Sequence, residues 1–221
     1  MKAEYNFAGK PHFSRPELRE RIAQTAASAT AHPDAITGDL THEERRAAHA
    51  VQGRAIKPAA VLVLLFEQAD GYHFVLTQRT AHLHDHAGQI SFPGGRKDET
   101  DADLIATALR EAQEEIGINP TAVEIIGTLP HYITITAYEV TPVLAVCAPQ
   151  AFTMDAFEVA DVFTVPLGHF LEEKNWRRDS MMREGAQREF WAVPYSDASG
   201  ERYIWGATAG MLRVLIGKLR A

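Results

Sequence analysis

Apolar side chains recur along the chain at two spacings, and each change of spacing marks a change of element. Leu18, Ile22 and Ala26 share one face of a predicted helix over 14–29, opened by Ser14 and Glu17 at capping-box spacing with Pro16 in the first turn. Thr41 and Glu44 repeat that start signal for a second helix to about residue 52, and TAHPDAITGD between the two reads as a linker. The pattern then turns into nearly continuous apolar runs, AAVLVLLFE over 59–67 and YHFVLTQRT over 72–80, separated by QADG. These predict a β-hairpin whose first strand is apolar enough to be central in a sheet. Leu104, Ile105, Ala108, Ala112 and Ile116 return to spacings of three and four, which predicts an amphipathic helix opened by Asp101 or Asp103 and stopped by Gly117. Strand-like segments follow at 123–129, 133–146 and 161–166, then a short helix near 168–173, two strands at 188–193 and 202–204, and a closing helix over 207–219. The order of elements predicts a mixed α and β fold, and no repeat or low-complexity segment interrupts it.

Composition narrows the class. With 221 residues, 46% of them hydrophobic, the chain can bury one sizeable core, with or without appended helices. A formal charge of -7 argues against a general nucleic-acid or membrane-surface binder and leaves a small molecule as the expected ligand. Cys147 is the one cysteine, so no intramolecular disulfide can form, and no Cys/His spacing resembles a structural zinc site. A cytoplasmic, soluble protein is expected, because MKAEYNFAGKPHF has no apolar signal region and no apolar run is long enough to span a bilayer. Monomer and homodimer both remain open.

The helix that ends at Gly117 carries the candidate chemistry. Glu111 lies three and four positions before Glu114 and Glu115, which groups three carboxylates on the face away from the apolar stripe. Glu114 and Glu115 fall in the last turn, where unpaired carbonyls favour cations and oppose acids. A Glu-rich helix is commonly plain solvated surface. The preceding FPGG turn points elsewhere: glycine backbone can approach an ion closely, and a carbonyl there can join the carboxylates as a hard-oxygen ligand. Such ligands imply magnesium or manganese, which would neutralise the acids, bridge phosphate oxygens and activate water.

Gly95 together with REAQEEIGI (110–118) resembles the signature of the Nudix hydrolases. Asp101 stands where that signature has glutamate, and eight residues rather than seven separate it from Arg110. The lengthened box narrows the resemblance to the coenzyme A pyrophosphatase branch. VLTQRTAHLHDHAGQISFPGG is similar to the second motif of that branch: His86, Gly88, Gln89, Phe92, Pro93, Gly94 and Gly95 match, and His84 replaces an expected arginine. TAYEVTPVLAV, FEVADVFTVPLGHFL and YIWGATAGML carry the similarity over roughly residues 57–215. The resemblance implies an α/β fold, a three-layer α/β/α sandwich with a mixed β-sheet over 57–221, after an N-terminal helical extension over 1–56.

The same resemblance implies a site. Glu111, Glu114 and Glu115 would bind Mg2+ or Mn2+ with the Gly94 carbonyl as an added ligand, and Arg110 would orient them. Glu111, Glu115 and Glu158 are candidate general bases, and Arg79, His86 and Gln89 candidate substrate-binding residues, with Arg96 and Lys97 as further phosphate partners. His82, His84 and His86 alternate as a zinc site would, but LHDHAG reads as a loop beside magnesium-type ligands. The implied reaction is metal-dependent hydrolysis of the pyrophosphate of coenzyme A or a derivative to 3',5'-ADP and 4'-phosphopantetheine or its acyl form. The alternatives are another nucleoside diphosphate derivative, such as ADP-ribose or a dinucleotide, and a non-catalytic binding module. The intact glutamates and arginine disfavour the last.

Overall fold

The computed structural model describes residues 4–5, 11–28, 41–82, 88–183 and 185–220. Two short strands, β1 (Glu4–Tyr5) and β2 (Pro11–His12), pair antiparallel ahead of α1 (Arg15–Ser28) and α2 (His42–Val51). Both helix starts form the capping boxes that their spacing predicts. The Ser14 N–H donates to the Glu17 carboxylate at 2.8 Å, and the Thr41 N–H donates to Glu44 at 2.7 Å while the Glu44 N–H returns to the Thr41 hydroxyl at 3.2 Å. The linker expected between them lies outside the described residues.

The hairpin consists of β3 (Lys57–Gln68) and β4 (Gly71–Arg79), antiparallel from Leu65↔Phe74 to Gln68↔Gly71. Next come β5 (Ile90–Ser91), β6 (Gly94–Arg96) and α3 (Leu104–Ile116). Asp103 caps α3 by accepting the Ala106 N–H at 2.8 Å, and Gly117 ends it at φ 66°. After α3 lie β7 (Glu124–Thr128), β8 (Tyr132–Ile133), β9 (Tyr138–Cys147), β10 (Val159–Pro166) and α4 (Leu167–Leu171). The chain closes with β11 (Arg177–Arg183), β12 (Ala186–Asp197), β13 (Gly200–Trp205) and α5 (Gly206–Arg220). The single strand expected over 133–146 is broken in two. The Thr134 hydroxyl accepts the Tyr138 N–H at 3.0 Å and Ala137 turns to φ 62°, so β8 folds back antiparallel on β9.

The main sheet runs β10-β4-β3-β9-β7, with β5, β6 and β8 pairing onto β4, β3 and β9. It is mixed, because β3 and β9 are parallel and their neighbours antiparallel. β3 lies inside it, as its apolar run predicts. Alternate residues of β3 feed opposite faces. Ala60, Leu62, Leu64 and Phe66 pack with Ala108, Ala112 and Ile116 of α3. Val63 and Leu65 pack on the other face with Leu18 of α1, Phe170 of α4 and Leu212, Leu215 and Ile216 of α5. The architecture is therefore a three-layer α/β/α sandwich. The meander β11-β12-β13 is held to its flank by buried Val193 and Ile204 and by the buried Arg202, which donates to Gln78 of β4 at 2.8 Å and to Asp161 of β10 at 2.5 Å. Among the described residues no helix is long and apolar enough to cross a membrane.

At Gly94 strand β6 comes very close to its partner β3. A Cβ there would lie 2.4 Å from the Ala60 carbonyl oxygen and 2.6 Å from the Val61 Cα, at φ 153°. Backbone cannot yield as a side chain can, so Gly94→Ala should cost about 2 kcal/mol or more. Gly217, exposed on α5 with open space around it, gives the contrast: Gly217→Ala should stabilise by about 0.5 to 1 kcal/mol. Urea denaturation of the two variants checks the pair, and equal midpoints would contradict the close approach at β6.

Candidate active site

Strand β6 and helix α3 build the site between them. The two glycines of β6 have no side chains to hold the helix away, and the strand comes down onto its acidic face. A Cβ at Gly95 would stand 2.5 Å from the Glu111 carboxylate, and the Gly94 N–H donates to Glu115 at 3.2 Å. Glu115 is consequently 8% exposed, which corrects the expectation that all three glutamates share the solvent face. Its burial is imposed by the strand crossing above it, which a helical periodicity cannot reveal.

Burial decides the electrostatics. Loss of water pushes the Glu115 carboxyl up to about 8; the Gly94 N–H and Arg79 oppose this, and the negative charges of Glu111 and Glu158 add to it. Burial also pushes Glu111 up, against the pull of Arg110 and with the push of Glu114 and Glu158.

Arg110 holds the rest of the cluster. Its Nε and one terminal nitrogen donate to the two Asp101 oxygens, both at 2.9 Å, and the latter also donates to the Arg96 carbonyl at 3.2 Å. The other terminal nitrogen reaches Glu111 at 2.9 Å and Glu114 at 3.0 Å. The fork holds the Asp101 carboxyl well below the usual carboxylate range, and Asp101 in turn accepts the Asp98 N–H at 2.9 Å. Asp101 is thus the anchor of the arginine. Its position, displaced by one residue in the signature, was the sequence signal that could have found this role.

The candidates outside the helix fall on two neighbouring segments. Arg79 ends β4, where its N–H donates to the Gln89 carbonyl at 2.9 Å, and its guanidinium stands 3.8 Å from Glu158. The segment leading to Glu158 is sewn to the end of α3: the Thr153 and Asp155 N–H groups donate to the Ile116 and Glu115 carbonyls, each at 3.0 Å. Glu158 is thereby fixed within electrostatic reach of Glu111 and Glu115. Arg96 and Lys97 support the clamp, the first through its carbonyl and the second by donating from Nζ to the Asp101 carbonyl at 2.7 Å. His84 and His86 lie outside the described residues, and the His82 ring pairs with Phe157, centroids 5.0 Å apart.

The donor set of the carboxylates and the glycine backbone is all oxygen, which suits a hard divalent ion, and Glu115 is buried among them. Among the described residues no three His, Cys, Asp or Glu side chains are yet grouped to hold one, since Glu111 and Glu114 are turned to Arg110.

The site thus joins a glycine strand to an arginine-clamped acidic helix on one face of the sandwich. The NUDIX domain profile matches residues 56–184, and the chain belongs to the Nudix family. An uncharacterized Nudix hydrolase, NudL, of Shigella boydii serotype 4 is 41% identical over 160 residues, covering 72% of this chain and 81% of that protein. NudL of Escherichia coli O1:K1 matches with the same identity, 41%, and the same coverage. A crystal structure of a C. elegans Ap4A hydrolase binary complex aligns with 51% of this chain and 81% of its own at 25% identity and a TM-score of 0.43. The domain match and the two NudL relatives place the chain among the Nudix hydrolases.

The raised Glu115 carboxyl has a consequence for stability. Between the ordinary value of 4.5 and about 8 the folded, chelator-treated protein keeps a proton there that the unfolded chain has lost. Stability must therefore fall as pH rises through that window. Denaturation midpoints at several pH values should show the slope in the parent and a flatter profile in Glu115→Gln; equal slopes would contradict the burial.

Proposed function

We propose that the protein hydrolyses the pyrophosphate bond of coenzyme A or its derivatives, giving 3',5'-ADP and 4'-phosphopantetheine or its acyl form. The observation that carries the reading is the acidic cluster itself: three glutamates of one helix turn, one of them buried at 8% exposure and the other two clamped by Arg110. The substrate assignment rests on the resemblance of Gln89 and of Phe92 to Gly95 to the coenzyme A pyrophosphatase motif, with His86 as a further match.

In this reading Glu111, Glu114 and Glu115, with the Gly94 carbonyl, would hold Mg2+ or Mn2+, which would supply positive charge against the diphosphate and lower the pKa of water. Arg110, anchored on Asp101, keeps Glu111 and Glu114 in register as a positioning residue. Glu158 accepts the proton of the attacking water; it lies within the field of both inner glutamates and is free of the Arg110 clamp. Arg79, at the end of β4 and 3.8 Å from Glu158, takes a phosphate oxygen as the P–O bond to the bridging oxygen breaks. Water adds its hydroxyl to one phosphorus, the bond from that phosphorus to the bridging oxygen breaks, and Glu158 passes the proton it took to the departing phosphate or to solvent.

The test is a panel of pyrophosphates incubated with the purified protein and magnesium or manganese, with products identified by mass. Coenzyme A should be turned over with higher kcat/KM than ADP-ribose, and chelation should abolish turnover. The reverse order of substrates would replace coenzyme A by another nucleoside diphosphate derivative, and full activity after thorough metal removal would overturn the metal reading.

A further inference from the structure

The rim of the site carries an exposed aromatic ring that the chemistry above leaves unused. Phe157 is 64% exposed, although large apolar side chains are ordinarily withdrawn from water. It does not sit on a loose loop. Its N–H donates to the Asp155 carboxylate at 2.9 Å, its carbonyl accepts the Thr80 hydroxyl at 2.9 Å, and the next carbonyl, of Glu158, accepts the Thr80 N–H at 3.0 Å. Asp155 is itself tied by its N–H to the Glu115 carbonyl at 3.0 Å. The ring is thus positioned from two sides, by the end of α3 and by the residue that follows β4. The His82 ring stands against it at 5.0 Å and 60°, so the two rings make an open corner.

That corner is beside the reacting groups. The residue after Phe157 is Glu158, 3.8 Å from Arg79 and within the field of Glu111 and Glu115. The acids nearby, Asp155 and Glu158, suit a flat, uncharged group with exocyclic N–H donors. A nucleobase has that chemistry, and any base can stack on an aromatic face.

We propose that Phe157, with His82 beside it, is the platform on which the adenine of the substrate stacks. This rests on the reading of the protein as a hydrolase of adenine nucleotide diphosphates. The role is one of binding, so removal of the ring should raise KM and leave kcat nearly unchanged.

AMP and ribose 5-phosphate make the discriminating pair of probes, since they share the sugar phosphate and differ in the base, and neither holds a pyrophosphate to be cut. Calorimetric titration of the whole chain should show tighter binding of AMP than of ribose 5-phosphate. Phe157→Ala should weaken AMP about tenfold or more and leave ribose 5-phosphate unchanged, and Phe157→Trp should restore AMP binding. Thermal unfolding should be nearly unchanged by Phe157→Ala, because the ring is mostly in water already. Equal affinity of the parent for both probes, or AMP binding indifferent to Phe157→Ala, would overturn the proposal. So would a fall in kcat/KM for coenzyme A with AMP binding intact, which would give the ring to the pantetheine arm. A parent that binds AMP through Phe157 yet leaves coenzyme A uncut would refute the coenzyme A assignment and uphold the stacking platform.

Discussion

The site depends on the guanidinium of Arg110. Its planar fork meets the two oxygens of Asp101 side by side, and its remaining donors go to Glu111, Glu114 and the Arg96 carbonyl. A lysine could not span these partners, because an ammonium is a point charge without the fork geometry. Through this group the turn before α3, the carbonyl end of β6 and the middle of the helix become one rigid unit. Arg110 and Arg79 together bear on five acids, however, Asp101, Glu111, Glu114, Glu115 and Glu158, so the cluster stays short of positive charge.

The rest of the fold supplies the closeness that this shortage requires. Glycine at positions 94 and 95 lets β6 sit on both β3 and α3, where a single methyl group would collide with backbone or with the Glu111 carboxylate. The end of α3, whose last carbonyls would otherwise lack donors, is closed by Thr153 and Asp155. That closure fixes the segment bearing Phe157 and Glu158 to the same helix that carries the acids. A cap that stabilises the helix thereby also fixes the rim of the site. On the opposite face α1, α4 and α5 bury the other side of the sheet, so the strands that position Arg79 and Gly94 are packed from both directions.

Much of this was legible in the sequence wherever the determinants were local. The two capping boxes, the Gln68↔Gly71 hairpin, the helix stopped at Gly117 and the closing helix follow from spacing and turn residues, and the structure has them all. Strands β5 and β6 were not legible, because ladders of two and three residues leave no periodicity. β11 was missed for a different reason: RRDSMMR is polar and is held by its register with β12. The break between β8 and β9 is a tight turn closed by backbone bonds between Thr134, Ala137 and Tyr138 and by the Thr134 hydroxyl, with the non-glycine Ala137 at positive φ, which no pattern announces. The acidic triplet stood out as a group, yet the burial of Glu115 and the anchoring of Arg110 by Asp101 depend on β6 crossing the helix, a tertiary fact.

The central claim is that this crowded helix turn, and not acidity in general, is the catalytic centre. Turnover of Glu115→Gln beside Glu43→Gln tests it most directly, with magnesium present and both proteins shown to be folded. Glu43 is an exposed glutamate in the first turn of α2. Glu115→Gln keeps the shape of the side chain and removes its charge, so its kcat should fall on the order of 100-fold or more, whereas Glu43→Gln should match the parent. Equal activity in the two variants would contradict the account.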